Sequence, residues 1–181
     1  YTLHVIATFL KDQPAYKSVV VLGHVLDEEG KKMSKSRGNV VAPDVIIDQF
    51  GADAFRWFFY RSGPTTPSRF GPNAVRESLK PFLLPLLNAW SFFSIYAGID
   101  GFTPKSDRPA FADRAPLDRW ILSQLRDLVA ALTDDLENNR TDPAAQGIEA
   151  FVDALTNWYI RRSRRRFWKS AADDDKAAAH W

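Results

Sequence analysis

Four cations and two hydroxyls crowd a short stretch of this chain: Lys31, Lys32, Lys35 and Arg37, with Ser34 and Ser36 between them. Gly30 and Gly38 bound the stretch, and the apolar run Val19-Val20-Val21-Leu22 precedes it. Lysine offers a compact point charge to phosphate oxygens, and flanking glycines let a backbone come close to a ligand. At the carboxyl end of a buried strand, such a loop is suited to gripping a polyphosphate and stabilising charge that builds on a transferring phosphorus. The bland alternative is a solvated basic turn between a strand and a helix. A Walker-type phosphate loop is excluded by spacing. That motif needs two glycines separated by four residues, followed by Lys and Ser or Thr, whereas Gly23 and Gly30 are separated by six residues and Lys31 precedes Lys32.

A second cationic cluster lies near the end of the chain. In Arg161-Arg162-Ser163-Arg164-Arg165-Arg166-Phe167-Trp168-Lys169, six cations fall within nine residues, with aromatics beside them. On a helix Arg161, Arg165 and Lys169 share one face, and Arg162 and Arg166 share the next. Like charges at these spacings repel, so an anionic partner would relieve them, and arginine forks pair well with a phosphate backbone. The alternative is a solvated face neutralised by Asp153 or by acids from neighbouring helices. Trp57, Trp90, Trp120 and Trp158 fall on apolar stripes and are read as core. His24, at the end of the strand feeding the loop, is read as either ligand-proximal or structural. Asp27 and Glu28 are read as shaping the turn, and His4 as packing.

The elements that must position these groups follow from periodicity. Residues 1–10 read as the end of a helix closed by Pro14, and residues 18–26 as a parallel core strand. Ala42-Pro43-Asp44 looks like a helix start and Gly51 its stop. Residues 52–62 read as a helix, and the breaker-rich Ser62–Ser68 as a loop. Val75 to Phe93 carries a helical stripe interrupted by Pro81 and Pro85, which predicts a bend or two abutting helices. Ala97–Arg114 reads as a long loop, Pro116 opens a further helix with a stripe from Leu117 to Leu136, and Asp142 is a plausible N-cap for the last helix. The expected fold is mainly α: a C-terminal remnant of a doubly wound nucleotide-binding fold over residues 1–50, a connection over 51–70, and an α-helical bundle over 71–181.

Composition agrees with a folded protein. The 181 residues are 45% hydrophobic and 13% aromatic, with a net charge of only +2. The absence of cysteine excludes disulfides and thiolate metal sites within the chain, and His4, His24 and His180 are scattered, so no metal site is expected here. No stretch approaches the ~20 apolar residues of a membrane span. A cytoplasmic location is the default expectation. The sole methionine is Met33, and the chain starts Tyr1-Thr2-Leu3, so it is read as a piece of a longer protein.

Lys32-Met33-Ser34-Lys35-Ser36 resembles the second signature of the class I aminoacyl-tRNA synthetases. Its extensions Arg37-Gly38-Asn39-Val40-Val41-Ala42-Pro43 and Gly51-Ala52-Asp53-Ala54-Phe55-Arg56-Trp57 strengthen the likeness. Asn157–Trp168 and Ser91–Phe102 look like the isoleucyl branch of that family, with valyl and leucyl branches as the near rivals. The resemblance implies that Lys32 and Lys35 are catalytic, contacting the ATP phosphates during adenylate formation, with His24, Met33, Ser34 and Ser36 completing the ATP site. It implies tRNA contact, with tRNA(Ile) as partner, through Arg161, Arg162, Arg165, Arg166 and Lys169. It further implies isoleucine as substrate, magnesium arriving with ATP, and a monomer. Nothing in the chain resembles the first signature, His-Ile-Gly-His, so the piece alone is expected to be inactive. The rival of another class is a non-catalytic tRNA-binding module.

Overall fold

The computed structural model describes residues 1–104, 109–168 and 173–181. It is a mainly helical protein with one small parallel sheet. The first helix, α1 (Thr2–Lys11), matches the expected helix and ends at Asp12 in the left-handed region. It buries no residue, and Leu3, Phe9 and Leu10 face outward.

The expected core strand over residues 18–26 is corrected to two residues. Only Val25–Leu26 (β1) forms a strand, paired in parallel with Ser68–Arg69 (β2), Val25 opposite Ser68 and Leu26 opposite Arg69. Val19 to Leu22 are exposed, Val21 by 72%. A parallel core strand needs partners along its edges. Here β2 begins level with Val25, so the preceding valines have no ladder to join. The close approach that does exist is at Gly23, whose N–H donates to the Pro64 carbonyl at 2.8 Å. A Cβ on Gly23 would lie 2.3 Å from the backbone of Thr66. Gly23→Ala should therefore cost about 1–3 kcal/mol by forcing two backbones apart. Urea unfolding should show a lower midpoint, and an unchanged midpoint would mean that the β1–β2 crossing yields freely.

Between the strands run α2 (Pro43–Phe50) and α3 (Ala52–Ser62), with Pro43 and Asp44 in the first turn of α2 and Gly51 between the helices, as expected. Their inward residues meet β2 and the next helix in one cluster: Ile46, Ala54, Phe58, Phe70 and Val75. Phe55, Phe58, Phe59 and Phe70 pack with centroids 5.1–5.8 Å apart. Burying each such side chain contributes about 1.5–3 kcal/mol. Met33 and Val41 lie against this cluster, so the cationic loop is anchored to the core.

The proline-interrupted stripe resolves into two abutting helices, α4 (Pro72–Leu79) and α5 (Leu83–Ile99), bent by 42°. Pro81 falls in the break and Pro85 in the first turn of α5, where a missing N–H removes no helical bond. The expected loop from Ala97 starts later, because α5 continues to Ile99. α6 (Pro116–Glu137) and α7 (Thr141–Asp153) form the main helical pair, joined by Asn138-Asn139-Arg140. Asp142 is not the N-cap but a first-turn residue, since the cap is Arg140, two residues earlier, and α7 starts at Thr141. A π-helical segment, Ala154–Ile160, then leads into α8 (Arg161–Trp168). The last helix, α9 (Asp173–His180), returns to the end of α5. There Asp100 accepts from Lys176 at 2.6 Å and pairs with His180 Nε2 at 2.9 Å.

Among the described residues no single helix is long and apolar enough to cross a membrane.

Candidate functional site

β1 delivers the chain into a tight hairpin at Asp27. The Gly30 N–H donates to the Asp27 carbonyl, and the Asp27 N–H to the Lys31 carbonyl at 2.9 Å. Leu26 and Lys32 form an antiparallel bridge. Lys35–Arg37 then make one 3-10 turn, closed by Gly38 at φ 67°, a conformation that favours glycine. The two serine hydroxyls face each other at 3.3 Å.

A buried carboxylate organises this loop. Asp27 is 6% exposed and has no cationic partner among the described ion pairs. Its Oδ1 accepts the Lys31 N–H at 2.7 Å and its Oδ2 accepts Asn39 Nδ2 at 2.7 Å. These donors, the Asn39 amide first, hold the Asp27 carboxyl below its ordinary range. Asn39 in turn accepts the Ser34 N–H at 2.9 Å and donates to the Lys32 carbonyl at 3.3 Å.

This frame leaves the cations outward. Lys31, Lys32, Lys35 and Arg37 are exposed, and none has an acidic partner among the described ion pairs. Met33 points inward to the core, and Ser34 is half-buried. His24 is exposed just before β1, where its carbonyl accepts the Ser68 N–H. Sequence reading missed Arg69, whose guanidinium lies over Gly30, 3.2 Å from where a Cβ would stand. It arrives through the β1–β2 register, which no local pattern announces. Glu28 points the other way: Oε1 accepts the Asn73 N–H at 2.8 Å and Oε2 accepts Asn73 Nδ2 at 3.1 Å. An acid at the N-terminus of α4 is favourable there, and Glu28 shapes this junction as Asp27 shapes the loop.

The arginine cluster divides in two. Arg161, Arg162, Arg164 and Arg165 are exposed. Arg162 stacks on the Trp158 ring at 3.8 Å, and Arg164 lies near Phe92 and Trp168 at 5.6 and 5.8 Å. Arg161 and Arg164 also line an open groove of about 550 Å³ between α5 and the last helices, with Pro85, Asn88, Phe92 and Asn157.

Arg166 departs from the expected free basic face. It forms a bidentate pair with Asp118, Nη1 to Oδ1 at 2.6 Å and Nη2 to Oδ2 at 3.0 Å, and its Nε bonds Asp175 at 2.9 Å. Asp118 is 2% exposed and also accepts the Tyr159 hydroxyl at 2.9 Å. Burial, then the Asp118 carboxylate, push the Tyr159 phenol well above its ordinary value. The neutralising acids come from α6 and α9, while Asp153 is occupied by Asn157 at 2.6 Å. Lys169 lies outside the described residues.

Two tryptophans read as core are also corrected: Trp158 is 48% and Trp90 65% exposed. In the π-helical segment each residue advances less around the axis than in an α-helix. The stripe drawn from Phe151 and Leu155 therefore brings Tyr159 inward and swings Trp158 out. Trp57 is buried as expected.

Residues 1–69 match the family model "tRNA synthetases class I (I, L, M and V)", and residues 118–181 match "Anticodon-binding domain of tRNA ligase". The first of these stretches is similar to the class I tRNA synthetases and the second to the part of tRNA ligases that binds the anticodon. Its sequence relatives include isoleucine–tRNA ligase of Dehalococcoides mccartyi, 49% identical over 181 residues, and that of Deinococcus radiodurans, 46% identical over 179. These alignments take in 99% and 98% of this chain but only 18% and 16% of the relatives, so the chain spans less than a fifth of their length. Its fold is that of two solved synthetases. One is LeuRS of Agrobacterium radiobacter in a ternary complex with tRNA and LeuAMS, with TM-score 0.65 and 20% identity over 99% of this chain and 21% of that one. The other is methionyl-tRNA synthetase of Mycobacterium tuberculosis bound by methionyl-adenylate, with TM-score 0.68 and 24% identity over 86% of this chain and 30% of that one.

Proposed function

We propose that this chain is the phosphate-loop and tRNA-binding portion of an isoleucine–tRNA ligase. The whole enzyme would join isoleucine to ATP, release pyrophosphate and transfer the aminoacyl group to tRNA(Ile). The observation that carries the reading is the Lys32–Ser36 loop, which a hydrogen-bonded frame holds with its cations outward and unneutralised among the described residues. In this reading Lys32 and Lys35 contact the triphosphate of ATP, taken as its magnesium complex, His24, Ser34 and Ser36 complete that part of the site, and Met33 serves it by anchoring the loop on the core. Because the site is assembled mainly by placement of charge, its contribution is positioning and electrostatic stabilisation of the departing pyrophosphate.

The exposed cations Arg161, Arg162, Arg164 and Arg165 form the tRNA-facing surface, with Trp158 and Trp168 as stacking platforms beside the groove. Residues 1–50, 51–70 and 71–181 serve as catalytic remnant, connection and tRNA-binding bundle of a monomeric, cytoplasmic enzyme.

The test is isoleucine-dependent ATP–pyrophosphate exchange. The whole-length protein should exchange with isoleucine in preference to valine or leucine. The 181-residue chain alone should stay at background. Exchange by the whole protein with leucine or valine preferred would move the reading to a neighbouring branch. Exchange by the isolated chain would overturn the division of labour.

A further inference from the structure

We propose that Asp27 and Asn39 are the positioning pair of the phosphate loop, acting as one unit to set the direction of Lys32 and Lys35. Both Asp27 oxygens and both polar atoms of Asn39 are committed to this loop. Asn39 bonds the backbone on either side of Met33, accepting from the Ser34 N–H and donating to the Lys32 carbonyl. Met33 itself packs against the core cluster. Three adjacent residues, Lys32 to Ser34, are thus held by the frame and the core, and Lys32 and Lys35 beside them are exposed.

The chemistry at each position is specific. The loop needs, at position 39, one donor toward a buried carboxylate and one acceptor toward a backbone N–H, on a short planar fork. Only an amide supplies both. A carboxylate at 39 alone would face the Asp27 carboxylate across the 2.7 Å contact. An amide at 27 alone would set two NH2 groups against each other, and flipping Asn39 to relieve this would turn its NH2 onto the Ser34 N–H. Exchanging the two residues restores the order: the Lys31 N–H donates to the amide oxygen at 27, the amide NH2 donates to a carboxylate at 39, and the Ser34 N–H donates to that carboxylate. The cost that remains is at the Lys32 carbonyl, which would face a carboxylate oxygen in place of the NH2 donor now 3.3 Å away.

The inference rests on the reading that this loop grips the triphosphate, and the experiment separates the two. In the whole-length protein, pyrophosphate exchange is measured for the parent, Lys32→Ala, Asp27→Asn, Asn39→Asp and the double exchange Asp27→Asn/Asn39→Asp, with thermal melts of each. The single variants should each lose about tenfold or more in kcat/KM for ATP, as expected for misplaced charges. Their KM for isoleucine should not move. The double exchange should recover most of that loss, which a residue that merely fills space would not show. Single variants at parental rates, beside a slow Lys32→Ala, would overturn the pair's role and leave the loop reading standing. Parental rates in both Lys32→Ala and a parallel Lys35→Ala would overturn the loop reading itself. If the single variants fail to fold, the double exchange decides: folded and near-parental supports the pair, and folded but as slow as Lys32→Ala refutes it.

Discussion

Replacing Lys32 or Lys35 by alanine in the whole-length protein should slow adenylate formation on the order of 100-fold, the loss typical of one well-placed electrostatic contact in a transition state. The reason lies in the frame beneath them. Neither ammonium contributes to the fold: both are exposed, and neither has a described acidic partner. Their removal should leave the melting temperature in place. Charge on the pyrophosphate grows as its bond to the nucleotide breaks, so each ammonium acts more strongly on the transition state than on bound ATP. The loss should therefore fall mainly on kcat and leave isoleucine affinity alone. Lys31→Ala should be milder, because Lys31 contributes its backbone N–H to Asp27, which alanine retains. Rapid-quench measurement of adenylate would check all three. Parental rates in both Lys32→Ala and Lys35→Ala would mean that the loop does not act on phosphate.

The contrast between what was legible and what was not follows the range of the interactions. The cationic loop, its glycines and the helix boundaries at Pro43, Gly51 and Pro116 are local signals, and they stand in the structure. The break at Pro81 was legible for the same reason. The strand over residues 18–26 was not. An apolar run announces burial, but a strand exists only where another strand is hydrogen-bonded to it, and β2 meets only Val25 and Leu26. Arg69 beside Gly30 and Glu28 at the start of α4 were invisible for a similar reason: each is placed by contacts between distant segments. Trp158 was misread because a stripe is extrapolated with α-helical periodicity, and the π-helical segment breaks that periodicity just before the arginines. Composition alone could not separate Arg162 from Arg166, since they are four residues apart on one helix.

Their substitutions should nonetheless behave in opposite ways. Arg166→Ala should destabilise the protein by about 3–5 kcal/mol, because it leaves the Asp118 carboxylate buried without its cation. The loss extends to the Tyr159 hydroxyl, which shares that carboxylate, and to the tie between α8 and Asp175 on α9. Pairing Arg166→Met with Asp118→Asn should recover part of the loss, since the buried charge goes with its partner. Arg162→Ala breaks only an exposed cation–aromatic contact to Trp158, so stability should fall by no more than about 1 kcal/mol. On tRNA the order reverses. Arg162 presents a guanidinium to solvent, and its loss should weaken binding and reduce the dependence of log Kd on log salt by about one. Arg166 is already neutralised by two aspartates. Under conditions where the Arg166→Met/Asp118→Asn pair remains folded, its salt slope should equal the parent's. Urea unfolding and salt-dependent tRNA titration of the same variants decide the matter. Should Arg166→Ala unfold like the parent while flattening the salt slope, Arg166 would belong to the tRNA surface and the Asp118 pair would contribute little to the fold.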